Sequence, residues 1–531
     1  MLVWILSVGV FAVTVRAEPE GRPTGKPNIV LVMSDDMGFS DIGCYGGEIH
    51  TPTLDMLAAN GLRFSQFYNT GRCCPTRASL LTGLHPHQAG IGHMTMERTT
   101  RDSPEGKKRK RGPYQGWLNR NCVTIAEVLK LSGYRTYMAG KWHVGTLDKD
   151  TWPIARGFDR YYGLINGASN FFKPAPDKHL TLDETVVKPQ GDDYYTTDYF
   201  TRYAIGFLEQ HAAEHAGRPF FLYLAYTCPH WPLQAWPEDI ARYRDRYKIG
   251  WDQLRAQRHR RQVELGLIDE AWKLSPRDAR VPAWEEVDAG KREELAFLMA
   301  IYAAMIDRMD RNIGELIETL KAHDWFENTL ILFLDDNGGC AEGGTLGNYS
   351  PQQLGTRKGY GPPMYGACWA NASNTPFRRY KHWVHEGGMS SPLIAHWPAG
   401  IPGKLHGTIT HQYGYLPDLM ATCVELAGAG YPAEFRGAPI LPMEGKSLLP
   451  MLRGESRRIH PEPICWEHER NRAVRDGKWK LVSAGGGRWE LYDMERDRTE
   501  SNDLARDQPL KMKELAEAWN AWAARCGVVA P

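Results

Sequence analysis

The chain has 531 residues, 42% hydrophobic and 24% charged, with 53 Gly and 34 Pro, which suits a loop-rich globular protein and excludes fibres, disordered chains and polytopic membrane proteins. Its 64 basic and 63 acidic residues leave a net charge of +1, so no overall field draws it to nucleic acid or to an acidic membrane. Ten cysteines scattered over this length do not make a small disulfide scaffold.

Residues 2–15 form an apolar run of fourteen, followed by Arg16-Ala17-Glu18. The run is short for a bilayer span, and Val15 and Ala17 satisfy the small-residue rule for cleavage after Ala17. A signal peptide over 1–17 is therefore expected. It implies an exported protein, periplasmic or secreted, without a stable membrane anchor.

Residues 28–34 (NIVLVMS) are a near-continuous apolar and β-branched run, the mark of a strand buried on both faces. Helices are expected over 51–60 and 124–131, then a strand over 134–140, a helix over 196–211 and a strand over 219–227. A long helix from about 286 to 321 precedes strands over 328–335 and 392–397. This alternation predicts an α/β fold with a mostly parallel sheet covered by helices, in which ligands collect beyond the carboxyl ends of the strands. Residues 462–494 read instead as a small antiparallel sheet, and 510–526 as an amphipathic helix presenting Leu510, Leu515, Trp519 and Trp522. The expected division is a signal peptide 1–17, a catalytic domain 18–405 and a C-terminal subdomain 406–531. Two basic runs, KKRKR at 107–111 and RAQRHRR at 255–261, read as a solvated loop and a solvated helix face, or else as local steering of a polyanionic substrate.

The first strand ends in Ser34-Asp35-Asp36-Met37-Gly38 and the fourth in Asp335-Asp336-Asn337-Gly338-Gly339. Adjacent carboxylates at a strand end repel unless a cation or protons hold them. Oxygen donors without His or Cys in the same turn favour calcium or magnesium over zinc. Between these turns, residues 71–83 (GRCCPTRASLLTG) contain Cys73-x-Pro75-x-Arg77 followed by Leu81-Thr82-Gly83.

This segment resembles the C-x-P-x-R element of the type I, formylglycine-dependent sulfatases, within the alkaline-phosphatase-like superfamily. Further matches are Asp35 and Asp36, Gly140-Lys141-Trp142-His143-Val144-Gly145, Arg156-Gly157-Phe158-Asp159, Pro229-His230-Trp231-Pro232, Asp336-Asn337-Gly338, and Lys381 ahead of Glu386-Gly387-Gly388. The resemblance covers about residues 27–400 and implies an alkaline-phosphatase-like α/β fold and hydrolysis of sulfate monoesters. It implies that a formylglycine-generating enzyme converts Cys73 to formylglycine (3-oxoalanine) during maturation. The implied metal ligands are Asp35, Asp36, the converted Cys73, Asp336 and Asn337, around Ca2+ or Mg2+. Asp336 is then the base for the attacking hydroxyl, His230 the acid for the departing alcohol, and His143 the base for the second hydroxyl. Lys141 and Lys381 hold sulfate oxygens, and Arg77 orients the modified residue and balances the carboxylates. One departure is visible. Many relatives carry an Arg soon after the E-G-G element, where this chain reads Met389-Ser390-Ser391-Pro392.

His85, His87 and His93 form a cluster beyond the nucleophile segment and read as loop and supporting residues, since calcium prefers oxygen. Asn170 in loop 166–173, with His468 and Glu469 in 466–469, are the candidate contacts to the alcohol part of the substrate. That substrate is expected to be an extracellular sulfated carbohydrate, with aryl sulfates next. Two other functions remain open on residues alone: a phosphonate or phosphodiester hydrolase of the same superfamily, disfavoured by Asn337 where those relatives tend to carry His, and an inactive protein that binds sulfated glycans. Conversion of Cys73 leaves nine cysteines, so at least one thiol stays unpaired within the chain.

Overall fold

The computed structural model describes residues 25–95, 112–359 and 361–529. The expected signal peptide and the KKRKR run lie outside them.

An eleven-stranded sheet forms the centre, in the order β10-β2-β9-β8-β1-β7-β3-β4-β5-β6, with β11 also on β2. Its middle is parallel: β8 (Thr329–Asp335), β1 (Asn28–Ser34), β7 (Phe220–Ala225), β3 (Arg135–Lys141) and β4 (Arg160–Leu164). These strands are almost wholly buried, which explains their unbroken apolar runs. The short β5 (Leu180–Leu182) and β6 (Thr185–Val186) finish one edge. At the other side, β9 (Ser390–His396) runs antiparallel to both β8 and β2 (Leu62–Tyr68). Its first residues therefore arrive at the edge where the parallel strands end, and this delivers Lys381 and Glu386 to that edge.

Helices cover both faces. They include α1 (Pro52–Ala59), α2 (Cys73–Thr82), α3 (Ile125–Leu131), α4 (Thr196–His215), α5 (Gly250–Glu264) and the 34-residue α6 (Ala289–Ala322). The RAQRHRR run lies in α5, but it is not a plain solvated face. Arg258 is buried and bridges Asp41 at 2.6 Å and Glu48 at 2.9 Å, and Arg255 is buried against Ser275. A basic run on a helix can serve as internal anchors, which its composition does not reveal.

The expected division at 405/406 runs through the large sheet. β10 (Thr408–Thr410) and β11 (Gly414–Tyr415) pair with β2, and α7 (Pro417–Ala427) packs on α2 and α3. A two-stranded ribbon of β12 (Glu434–Phe435) and β13 (Ala438–Pro439) follows. The antiparallel tail sheet is β14 (Ile464–His468), β15 (Asn471–Asp476), β16 (Trp479–Ser483) and β17 (Glu490–Asp493), backed by α8 (Pro509–Cys526). Leu515, Trp519, Trp522 and Cys526 form the buried face of α8, whereas Leu510 is 84% exposed. Five residues of helix rotate Leu510 roughly 140° away from Leu515, so it cannot share that face.

The tail is bolted to the catalytic edge by buried charge. Lys480 Nζ lies 2.8 Å from both Glu386 and Glu500, and Arg498 Nε donates to Glu386 at 2.9 Å. Arg498 Nη2 also donates to Ser390 Oγ at 2.6 Å. A guanidinium from the tail thus serves the turn after Glu386-Gly387-Gly388, where the sequence has no Arg of its own. All ten cysteines are buried and unpaired.

Candidate active site

The carboxyl ends of β1, β3 and β8, the segments after β2 and β7, and the entry to β9 converge on one buried cluster. Cys73 is the first residue of α2 and Arg77 lies one turn on, so the C-x-P-x-R spacing stacks nucleophile position and guanidinium on one helix face. All ten residues of α2 are buried, and no amphipathic pattern marks it. Gly388 completes the assembly by close approach: its carbonyl accepts from Gly338 N at 2.9 Å, and a Cβ on it would sit 2.0 Å from the Trp383 carbonyl oxygen.

Asp35 accepts from Lys141 Nζ at 2.7 Å. Asp36 accepts from Asn337 Nδ2 at 2.7 Å and from Lys381 Nζ at 2.8 Å. Asp336 Oδ2 takes two hydrogen bonds from Arg77, from Nε at 3.0 Å and Nη2 at 2.7 Å. Asp335, the remaining carboxylate, is spent locally: it accepts from Ser34 Oγ and from the backbone N–H groups of Met37 and Asn337. The structure therefore separates Asp335, which ties the two metal-side turns together, from Asp336, which faces Arg77.

Two oxygens in this cluster are conspicuous. Asp35 Oδ1 and Asn337 Oδ1 are buried and have no hydrogen-bond partner among the described residues. Buried acceptors left unpaired are costly, and hard oxygens gathered in one place are what a calcium- or magnesium-type ion takes up. The residues present fit a divalent cation. Burial, reinforced by the neighbouring carboxylates, raises Asp35 and raises Asp336 to about 7, although Arg77 opposes this. Asp36 behaves oppositely: burial pushes it up, but His230 and Lys381 outweigh that and hold it below the ordinary range. Asp36 also sits at φ 70°, a left-handed conformation strained for a residue other than Gly and held here by the contacts on both sides.

Cys73, Cys74 and His143 form a second group, their ligating atoms within 4.8 Å of one another. A hydrogen bond from Cys74 lowers the Cys73 thiol well below its usual range, and Lys141 and His143 help against the effect of burial. The position stabilises negative charge. His143 sits at φ 57° and is depressed to about 4 by burial, so it is neutral at pH 7. Gly167 packs on its ring, where a Cβ would come within 2.7 Å. His230 is likewise pushed by burial to about 4. Its Nδ1 lies 2.6 Å from the Trp231 carbonyl oxygen, which can only accept, so Nδ1 carries the proton and Nε2 faces Lys381 Nζ at 3.3 Å.

Seven expected catalytic residues and the four carboxylate or amide ligands thus come together. The three expected substrate contacts do not share one exposed surface. Asn170 is buried and pins two loops: its Oδ1 accepts from Phe172 and Lys173 N–H, and its Nδ2 donates to the Arg357 and Gly359 carbonyls. His468 is fully buried. Glu469 remains partly accessible between His93 and His382. His85 and His87 pair with Glu444 and Glu467, and His93 with Glu469.

Sequence reasoning missed one wall. Glu342 accepts from Arg72 Nη1 at 2.8 Å and from Trp231 Nε1 at 2.7 Å, beside Lys381. The neighbours Cys73 and His230 carried the signal, but nothing in the Glu342 segment itself did.

A family model described as sulfatase matches residues 27–429, and one described as the C-terminal part of N-sulphoglucosamine sulphohydrolase matches residues 378–521. The arylsulfatase of Klebsiella aerogenes is 35% identical over 443 residues, 80% of this chain and 91% of that one. An uncharacterized sulfatase of Schizosaccharomyces pombe is 33% identical over 496 residues, 86% and 85% of the two chains. Among solved structures, Ps i-CgsB in complex with k-i-k-neocarrahexaose superposes with a TM-score of 0.68 at 26% identity, covering 94% of this chain and 93% of that one.

Proposed function

The chain belongs to the sulfatase family and hydrolyses sulfuric esters, and we propose that its natural substrate is an extracellular sulfated carbohydrate, with aryl sulfates as secondary substrates. The observation that carries this reading is the anion-accepting pocket in which Cys73, at the N-terminus of α2, lies beside Lys141 and His143, with Lys381 and His230 meeting on Asp36 in the same buried cluster. The relatives include N-acetylgalactosamine-6-sulfatases at 26–27% identity, and Ps i-CgsB was solved with an oligosaccharide.

In this reading Cys73 is carried as formylglycine, installed by a formylglycine-generating enzyme, and Ca2+ is held by Asp35, Asp36, Asp336, Asn337 and the converted Cys73. Formylglycine supplies a carbon bearing two hydroxyls, chemistry that a thiol or a serine cannot offer. The cation supplies positive charge beside the sulfate oxygens. The chain's own residues do the rest. Lys141 and Lys381, already hydrogen-bonded to Asp35 and Asp36, turn their remaining N–H groups to sulfate oxygens, and the α2 N-terminus adds its dipole. Arg77 keeps Asp336 oriented so that it can accept the proton of the attacking hydroxyl. His143, neutral at pH 7, accepts the proton of the second hydroxyl. His230 is neutral in the resting chain, and the negative charge of a bound ester raises its affinity for the proton it then gives to the leaving oxygen. The pocket wall of Arg72, Glu342 and Trp231, with Glu469 at the rim, contacts the alcohol. Export through the 1–17 signal places the enzyme in the periplasm or outside the cell, where such polymers are met.

A panel of position-defined sulfated saccharides, assayed beside an aryl sulfate with wild type and Cys73→Ser, tests this. Turnover of at least one saccharide that Cys73→Ser loses is expected. Aryl sulfate turnover with every saccharide refused would overturn the carbohydrate assignment.

A further inference from the structure

A second cluster of ionisable groups stands beside this pocket. Glu469 lies in the two-residue turn between β14 and β15, and one of its oxygens is 2.6 Å from His93 Nε2. The other is 3.1 Å from His382 Nδ1, and His468 Nε2 is 3.9 Å from the first. One ligating atom each from His382, His468 and Glu469 lies within 4.8 Å of the other two.

His468 is the informative member. It is fully buried, yet neither ring nitrogen has a hydrogen-bond partner among the described residues. Its ring lies edge-on to that of His382, with centroids 5.4 Å apart, and 5.8 Å from that of His93. A buried imidazole with both nitrogens idle, packed against a carboxylate and two further imidazoles, has lost water without gaining anything in return. The backbone around it is also strained. Glu469 and Arg470 occupy a turn with φ 47° and 71°, positions usually filled by Asn-Gly, and His382 has φ 86°.

We propose that His382, His468 and Glu469, with His93 as fourth ligand, form a binding site for a borderline transition cation of the Zn2+ class, separate from the oxygen-donor site of Asp35, Asp36, Asp336 and Asn337. Imidazole nitrogens with one carboxylate are the donor set of zinc sites, whereas a hard calcium ion prefers oxygens alone. The required adjustment is small. Ligands about 2.0–2.2 Å from a tetrahedral ion stand roughly 3.4 Å from one another, so the ion would part Glu469 from His93, now 2.6 Å away, and draw in His468, now 3.9 Å away, each by under about an ångström. A bound ion would tie together three segments distant in sequence: the loop after α2, the residue following Lys381, and the β14–β15 hairpin. His382 N also donates to the Gly71 carbonyl at 2.6 Å, so the same ion would steady both Lys381 and the Gly71-Arg72 approach to Cys73. Its role is positional, and the site does not depend on which sulfate ester is the substrate.

The test uses the full mature chain, stripped by chelation and then saturated with calcium so that the oxygen-donor site is filled. Zn2+ is titrated by calorimetry and Co2+ by visible absorption. One further equivalent of Zn2+ is expected to bind, and Co2+ is expected to show the intense bands of a four-coordinate site. Glu469→Gln and His382→Asn, both partly exposed positions, should each weaken Zn2+ binding at least about tenfold. Circular dichroism of the chelated variants should match wild type, which separates ligand loss from misfolding. No Zn2+ binding beyond calcium overturns the proposal. Equal affinity in wild type and both variants does so too, because the ion then sits elsewhere, such as at Cys73, Cys74 and His143.

Discussion

Arg77 donates two hydrogen bonds to the same oxygen of Asp336, from Nε at 3.0 Å and from Nη2 at 2.7 Å, and both side chains are completely buried. Its third nitrogen, Nη1, reaches the Lys141 carbonyl at 3.1 Å. One guanidinium therefore fixes the carboxylate and the strand end that carries the pocket lysine, and turns Asp336 Oδ1 to the opposite side, where it accepts a long 3.4 Å hydrogen bond from the Asp36 N–H.

Arg77→Ala should leave Asp336 buried without its balancing charge, while Asp35 keeps Lys141. A loss of about 3–5 kcal/mol is expected, since breaking a buried pair by removing one partner costs that much. Arg77→Lys keeps the charge but not the fork, and should recover part of the stability with little of the activity. Urea unfolding and sulfatase assays of both variants check this. A stability loss below about 1 kcal/mol in Arg77→Ala would contradict it.

Calcium should stabilise the protein more as pH rises. Without the cation, burial and Asp35 raise Asp336 to about 7, above its unfolded value near 3.9. The folded chain then keeps a proton there that the unfolded chain has released between about pH 4 and pH 7, so this group's contribution falls as pH rises through the window. A cation needs the ionised carboxylate and relieves that penalty. The Tm gain on adding calcium to chelated protein should grow from about pH 5 to about pH 8 and then level off. A gain that shrinks over this range would refute the assignment of Asp336 to the cation.

The Cys73 peptide, from a host that makes a formylglycine-generating enzyme, should carry formylglycine by mass spectrometry. Cys73→Ala should lower kcat by roughly 10⁴-fold or more, as loss of a covalent nucleophile does. Cys73→Ser should trap or slow a sulfated form, visible in the intact mass. A fully active sample with unmodified Cys73 would exclude the mechanism.

His230→Asn removes the group placed at the leaving oxygen. The loss should be about 10²–10⁴-fold on a sugar sulfate, whose alkoxide needs a proton, and much smaller on a nitrophenyl sulfate, whose phenolate leaves unaided. Comparing kcat/KM for the two substrates decides it. Equal losses would move His230 out of the acid role.

Lys480→Met cuts the charged bolt between the tail sheet and the Glu386 turn. It leaves Glu386 and Glu500 without their shared ammonium, with Arg498 as the one remaining ion pair to Glu386 among the described residues, at an expected cost of about 3–5 kcal/mol. Lys381 approaches the pocket just before that turn, so kcat should fall with stability even though Lys480 belongs to the tail. Denaturation and kinetics on the same preparation would show whether the two losses travel together.

Much of this was legible in the chain itself. The parallel strands announced themselves because burial on both faces demands unbroken apolar runs, and β1, β7 and β8 have them. The carboxylate pairs, Cys73 with Arg77, Lys141 with His143, and His230 were visible because each sits in a short contiguous motif at a strand end or helix start. β2 was not, since LRFSQFY carries Arg, Ser and Gln into a buried strand. Nor was α2, because a helix buried on every side has no periodic face to betray it.

What the sequence alone determined is therefore the chemistry available: oxygen donors for a hard cation, a modifiable thiol, and cations and imidazoles for an anion. What only the tertiary structure decided is which of these groups meet. Arg498 serves the Glu386 turn from 112 residues away, Glu342 closes a wall with Arg72 across 270, and the antiparallel β9 carries Lys381 to the same edge as Asp36, 345 residues earlier. The physical reason is range. Propensity and periodicity act over a few residues, whereas a buried charge is satisfied by whatever partner the packed sheet places within hydrogen-bonding distance, and sequence separation does not enter that distance.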